Sequence, residues 1–214
     1  PPPPPPPPPP IFFHAHDGNP DSVASRGLGD VYKRQTIGIV MGSELETPKY
    51  ELIDKDRQFE IRMYEPMIIA ITEINSSYSQ SATTGFRRIA NYIFGGNDQN
   101  MEIAMTAPVL SSSPVNNNGI YNVSFVMPSK HTLSNLPKPN YENVIIKEHN
   151  LGKMAILRFG GWATEDKVIK YQKRLEKMLI KKQHIIDGDF MVAQYNSPWI
   201  LPPFRRNDIM VRIK

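Results

Sequence analysis

Apolar residues between positions 50 and 74 recur with the spacing of β-strands. Phe59, Ile61 and Met63 alternate with Glu60, Arg62 and Tyr64, the period-two pattern of a strand with one buried face. Glu65-Pro66 supplies a turn, and Met67 to Ile71 is the continuous apolar run of a buried strand. A polar stretch over residues 75–84 follows, and then the period changes. Phe86, Ile89, Ala90 and Ile93 fall at i, i+3, i+4 and i+7, one apolar face of a helix. Gly95-Gly96-Asn97 ends that helix, because glycine accepts the left-handed conformation common just past a C-terminus. Residues 103–110 and 121–127 read as strands, with Asn116-Asn117-Asn118-Gly119 as a hairpin loop between them. Pro137 and Pro139 make residues 128–143 irregular. Residues 144–147 and 154–159 suggest a further hairpin around Asn150-Leu151-Gly152. Val168, Tyr171, Leu175, Met178 and Leu179 form one face of a second helix over residues 164–182, with lysines opposite. Residues 191–195 and 209–213 are the closing strands.

The order is hairpin, helix, strand pair, stated twice. Each helix needs a sheet face on which to bury its apolar stripe. The pattern therefore predicts an α+β fold: two hairpin–helix–strand-pair repeats forming a curved antiparallel eight-stranded sheet or distorted barrel with two outer helices. A groove between helices and sheet is the natural ligand position in such an arrangement.

Composition alters the picture mainly at the N-terminus. Eleven of the 21 prolines lie in residues 1–20, and a proline run is extended and builds no core. Asp30-Val31-Tyr32-Lys33-Arg34-Gln35 resembles the translated end of a sequencing adapter, so residues 1–35 are expected to be a disordered, artefactual tail. His14 and His16 in that tail supply too few ligands for a metal site. Residues 36–45 are read as a linker or the remnant of a signal or anchor, and residues 46–214 as the folded domain. The apolar stub 36–41 is far short of the ~20 residues a membrane-spanning helix needs. The sequence leaves open a cytoplasmic protein or an exported or anchored one. The absence of cysteine excludes disulfides and thiolate ligands. The net charge of +4 is spread over interspersed charges, which argues against a nucleic-acid partner.

Three segments carry a resemblance. They are Phe59-Glu60-Ile61-Arg62-Met63-Tyr64; Gly85 to Asn97 running into Ile103-Ala104-Met105-Thr106-Ala107-Pro108-Val109; and Tyr195-Asn196-Ser197-Pro198-Trp199 followed by Arg205-Arg206-Asn207-Asp208. In order and spacing the chain resembles the SOUL haem-binding family over some 170 residues. That resemblance implies a two-repeat barrel with two helices that binds haem, or another porphyrin, non-covalently, as a carrier or buffer and not as an enzyme. The expected partner is accordingly a tetrapyrrole.

On this reading Phe86, Ala90, Ile93 and Met105 form an apolar floor for a flat ligand. Arg87 or Arg88 reaches the haem propionates, since guanidinium binds carboxylates in bidentate geometry. Some relatives carry a histidine just before the tyrosine of the first segment, where this chain has Met63. His131, His149 and His184 lie outside the three segments. The resemblance thus implies binding through apolar contact and propionate pairing. Two other functions remain open. One is an effector-type domain for hydrophobic small molecules, using Glu73 or Glu102; the other is a hydrolase on the same fold. No nucleophile elbow, metal constellation or glycine-rich phosphate loop accompanies the second.

Overall fold

The computed structural model describes residues 45–115, 119–196 and 200–214. The tail expected over 1–35, nearly all of the linker over 36–45, the loop residues Asn116-Asn117-Asn118 and the motif residues Ser197-Pro198-Trp199 lie outside the described residues.

The first half of the chain runs β1 (Tyr50–Asp56), β2 (Phe59–Tyr64), β3 (Met67–Asn75), α1 (Tyr78–Ile93), β4 (Val109–Ser112) and β5 (Ile120–Val126). The second runs β6 (Val144–His149), β7 (Lys153–Gly160), α2 (Glu165–Lys181), β8 (Met191–Gln194), a 3-10 turn (Pro202–Phe204) and β9 (Arg206–Arg212). All the strands join one curled antiparallel sheet of nine strands in the order β1-β2-β7-β9-β8-β4-β5-β3-β6. Among the described residues the fold is α+β with two helices, as the pattern predicts. The ninth strand is β1, which falls within the stretch from position 50 that reads as strands; its residues are all exposed, and the pattern does not set it apart as a strand of its own.

Pairing differs from the predicted hairpins. β2 and β3 are consecutive but do not pair, and neither do β6 and β7. Instead β2 pairs with β7, and β6 pairs with β3. Each half lends its leading strand to the other half's sheet: β2-β7-β9-β8 on one side, β6-β3-β5-β4 on the other. The halves join where β8 meets β4. A turn signal says that the chain changes direction, not which strand it lies beside. Around the predicted turn at 150–152, Gly152 is at φ 66 and its carbonyl accepts from Tyr64 N–H, tying the corner to β2.

The predicted strand over 103–110 shortens to β4, starting at Val109. Pro108 has no N–H to donate to a ladder. Thr106 instead bridges to Glu46 and its hydroxyl donates to Val126 O at 2.6 Å.

Both helices lie on one sheet face. Val168, Leu175 and Leu179 of α2 pack with Phe59, Ile61, Leu157, Phe159, Ile209 and Val211. Ile89, Tyr92 and Ile93 of α1 pack with Ala70, Ile74, Val123, Phe125 and Val144. The other face is also closed, around Tyr64, Leu110, Met154, Ile156, Ala193 and Met210. Curling buries the alternating positions that a flat sheet would leave wet. Glu60 and Arg62 are therefore interior, while Met63 is exposed.

Gly85 sets how closely α1 approaches the sheet. A Cβ there would lie 2.5 Å from Val123 Cβ and 2.9 Å from Ile74 Cδ1. Gly85→Ala gains about 1 kcal/mol of helix propensity and loses about 1–3 kcal/mol to overpacking. The expected net result is a lower urea midpoint, by the equivalent of up to about 2 kcal/mol. A raised midpoint would show that β5 yields to the methyl group.

Candidate ligand-binding groove

A cavity of about 620 Å³ opens between α1, the sheet and the loop leading into α2. That volume lies within the roughly 300–1,000 Å³ of small-molecule sites. Its apolar wall comes from Ala82 and Phe86 of α1, Val109 of β4, Val123 of β5, and Trp162 and Ala163 before α2. Phe86 is half-buried, tilted against Phe125 with ring centroids 5.4 Å apart.

Two polar atoms at the groove are buried without a hydrogen-bond partner: Tyr78 Oη and Ser111 Oγ. Burial first, then the negative charge of Glu165, pushes the Tyr78 phenol above its ordinary pKa. Ser111 lies beside it and opposes the rise, but the pair lacks hydrogen-bond geometry. Orphaned buried groups of this kind are rare and mark places where a further partner fits. At neutral pH Tyr78 is a donor, not a phenolate.

The rim carries charge. Arg87 is exposed, lines the groove and makes no hydrogen bond or ion pair with the described residues. Arg205 lies under Trp162, its guanidinium carbon 3.6 Å from the ring centroid, and donates from Nε to Ile200 O at 2.8 Å. Trp162 itself is 50% exposed. Glu165 and Asn196 complete the mouth.

Of the residues expected from sequence, Phe86 and Arg87 line this groove. Arg88 points the other way and ties α1 to β3, donating to Glu73 O at 2.9 Å and Thr72 Oγ1 at 3.3 Å. Ala90 and Ile93 are buried in the core beneath α1, with Met105 packed against that core. Met63 is on β2, away from the groove. His131, His149 and His184 do not line it, nor do Glu73 and Glu102. Tyr78, Ser111, Trp162 and Arg205 escaped the sequence reading. The available hints were Trp162, an aromatic in a glycine-rich turn with no periodic partner, and the place of Arg205 in the third resemblance segment.

On the sheet face opposite the helices lies a buried charge cluster. Arg62 is 0% exposed on β2 and donates from Nε to Glu60 Oε2 at 2.8 Å. Its Nη1 reaches Tyr64 Oη at 2.9 Å and Asp208 Oδ2 at 3.2 Å. Tyr195 Oη also donates to Asp208 Oδ2, at 2.9 Å. Burial works against the Arg62 charge, but Tyr64, Tyr195 and Asp208 outweigh it and raise its pKa. Burial alone would likewise raise the Glu60 carboxyl; the Arg62 hydrogen bond and the Arg62 and Arg158 charges hold it below the ordinary range. From this cluster the chain passes through Tyr195 to Asn196, whose side chain accepts from Arg206 N–H at 2.6 Å. Asn207 donates to Gly161 O at 2.8 Å, next to Trp162. Arg206 and Asn207, next to Asp208 on β9, thereby hold Asn196 and Gly161 at the mouth.

The fold and groove define an α+β half-barrel of two strand-exchanging repeats with a concave site between its helices. The family profile described as "SOUL heme-binding protein" matches residues 45–212, and the chain belongs to that family. It is similar to "Heme-binding protein 2" of Mus musculus, 30% identical over 179 residues that cover 77% of this chain and 86% of that protein. It is also similar to "Heme-binding protein 1" of Xenopus laevis, 26% identical over 156 residues, 71% of this chain and 81% of that one. Among solved structures, the EcmrR C-terminal domain superposes with a TM-score of 0.56 at 10% identity, covering 73% of this chain and 97% of that one. A hydrolase from Listeria innocua gives 0.53 at 8% identity, covering 86% and 98%. These two share the fold.

Proposed function

We propose that the groove beside α1 binds haem or a related porphyrin non-covalently, and that the protein carries or buffers this ligand without transforming it. The observation that supports this most is the pairing, in one apolar cavity, of unpartnered Tyr78 and Ser111 hydroxyls with the unengaged Arg87 guanidinium. Porphyrins bring a flat aromatic surface, carboxylates at one edge and, in haem, iron. Ala82, Phe86, Val109 and Val123 take the macrocycle, and Arg87 at the rim takes a carboxylate. Of the side chains that commonly hold haem iron, only tyrosine is present among the described lining residues, and Tyr78 stays protonated. Affinity on this reading comes from the macrocycle and the propionates.

Haemin titration with variants of the two neighbouring arginines tests the proposal. Arg87→Ala should weaken haemin binding about ten- to a hundredfold, the worth of one charge-assisted hydrogen bond. Arg88→Ala should leave affinity nearly unchanged and lower stability instead, through its lost contacts with β3. Haemin dimethyl ester, which lacks both charges, should bind wild type as weakly as haemin binds Arg87→Ala. Equal affinity for haemin and ester, with Arg87→Ala unaffected, would remove carboxylate recognition. Tighter binding of a hydrophobic cation than of haemin would replace the porphyrin by an effector-type ligand.

A further inference from the structure

The outer face of α2 carries a pattern for which the groove has no use. Val168, Leu175 and Leu179 bury the inner side of this helix completely. Lys170, Lys173, Arg174, Lys177 and Lys181 are exposed on the opposite side. The first four border a shallow surface cleft together with Asp166 and Ile169. Their spacing sets Lys170 beside Arg174, Lys173 beside Lys177 and Lys177 beside Lys181, each an i,i+4 pair of like charges that disfavours the helix. A face that is only solvated commonly mixes signs and avoids that cost. Here Asp166, four residues before Lys170, is the one carboxylate bordering the cleft, against four cations. Among the described residues none of these five cations forms an ion pair. Glu176, the one acid beyond the first turn, accepts a hydrogen bond from Gln172.

Apolar side chains stand beside the cations. Ile180, three residues beyond Lys177, is 74% exposed, and Ile185 just past the helix is 60% exposed. The one aromatic residue of the helix, Tyr171, is stacked on Phe159 at 4.7 Å and half-buried, so this face offers no ring on which a base could stack. We propose that the outer face of α2 docks on an anionic lipid bilayer, its cations over the headgroups and Ile180 and Ile185 in the interfacial layer. Basic side chains near an anionic leaflet add their attractions, and apolar residues on the same element deepen the contact. The inference is independent of what the groove binds.

Co-sedimentation of the full chain with vesicles tests it, in the absence of any porphyrin. One vesicle is phosphatidylcholine alone; the other contains one third phosphatidylserine. Partitioning should favour the serine-containing vesicle by about tenfold or more, and the preference should vanish as salt rises from about 0.1 to about 0.5 M. Lys173→Glu with Lys177→Glu should reduce binding to the level of the neutral vesicle while the unfolding midpoint holds. Lys173→Gln with Lys177→Gln serves the same purpose should the reversed helix fail to fold. Ile180→Ser with Ile185→Ser, all charges kept, should weaken binding several-fold. Equal partitioning into both vesicles, or charge variants that bind like wild type, would overturn the proposal. So would charge-dependent binding of a duplex oligonucleotide without vesicle binding, which would make the face a nucleic-acid contact.

Discussion

Asp208→Ala is expected to lower the free energy of unfolding by about 3–5 kcal/mol, the usual cost of removing one partner from a buried ion pair. Asp208 and Arg62 are both 0% exposed, so the variant leaves a guanidinium in the interior without the carboxylate that faces it. Glu60 remains, but it already shares its charge with Lys55 and Arg158. Removing the cation as well, as Arg62→Met with Asp208→Ala, should restore part of the loss, because the guanidinium is no longer stranded and Glu60 keeps Lys55 and Arg158 as partners. Urea denaturation of the three proteins checks this; a loss under about 1 kcal/mol for Asp208→Ala would mean that water reaches Arg62. The same cluster gives stability a pH dependence. The folded Glu60 carboxyl is held below its ordinary pKa, so its contribution is complete above the ordinary carboxylate range and is lost as pH falls through the depressed value. Glu60→Gln should flatten that acid limb.

Ile89→Ala is the second large effect, an expected loss of about 2–5 kcal/mol for an aliphatic side chain emptied from a closed core. Ile89 is 0% exposed, between the sheet and α1. Periodicity groups it with Phe86, and from sequence Phe86→Ala appears the most damaging change on the helix. The structure separates them, since Phe86 turns partly into the groove and is only half-buried. Phe86→Ala should therefore cost less stability than Ile89→Ala while weakening porphyrin binding more. Thermal unfolding and haemin titration of both variants read the two effects separately. The opposite ranking in stability would mean that the groove closes over Phe86 in solution.

The contrast shows what periodicity can and cannot tell. Apolar spacing located α2 closely and the C-terminal half of α1, whose first turns over 78–85 read as a polar stretch, and it assigned most of the strands, because it records which side of each element avoids water. It also read Glu60 and Arg62 as a wet face. Their burial is a consequence of the sheet's curl, which depends on strands far apart in the chain. The hairpin at 150–152 failed for the same reason, since pairing is a long-range property. The groove was half legible. Phe86 and Arg87 belong to the segment that carries the family resemblance. Arg205 belongs to another segment of that resemblance, but Tyr78, Ser111 and Trp162 come from elsewhere in the chain, and only the folded sheet brings all of them together.

Strand exchange between the halves has a consequence in time. When β2 leaves the ribosome its partner β7, which begins at Lys153, does not yet exist, and β3 has to wait for β6. Neither half can finish its own sheet first: β5 finds both neighbours, β3 and β4, within the first half, but every other interior strand waits for a strand of the second. Pairings so distant in sequence form slowly, and until they form the open strand edges are the sites at which nascent chains can adhere to one another.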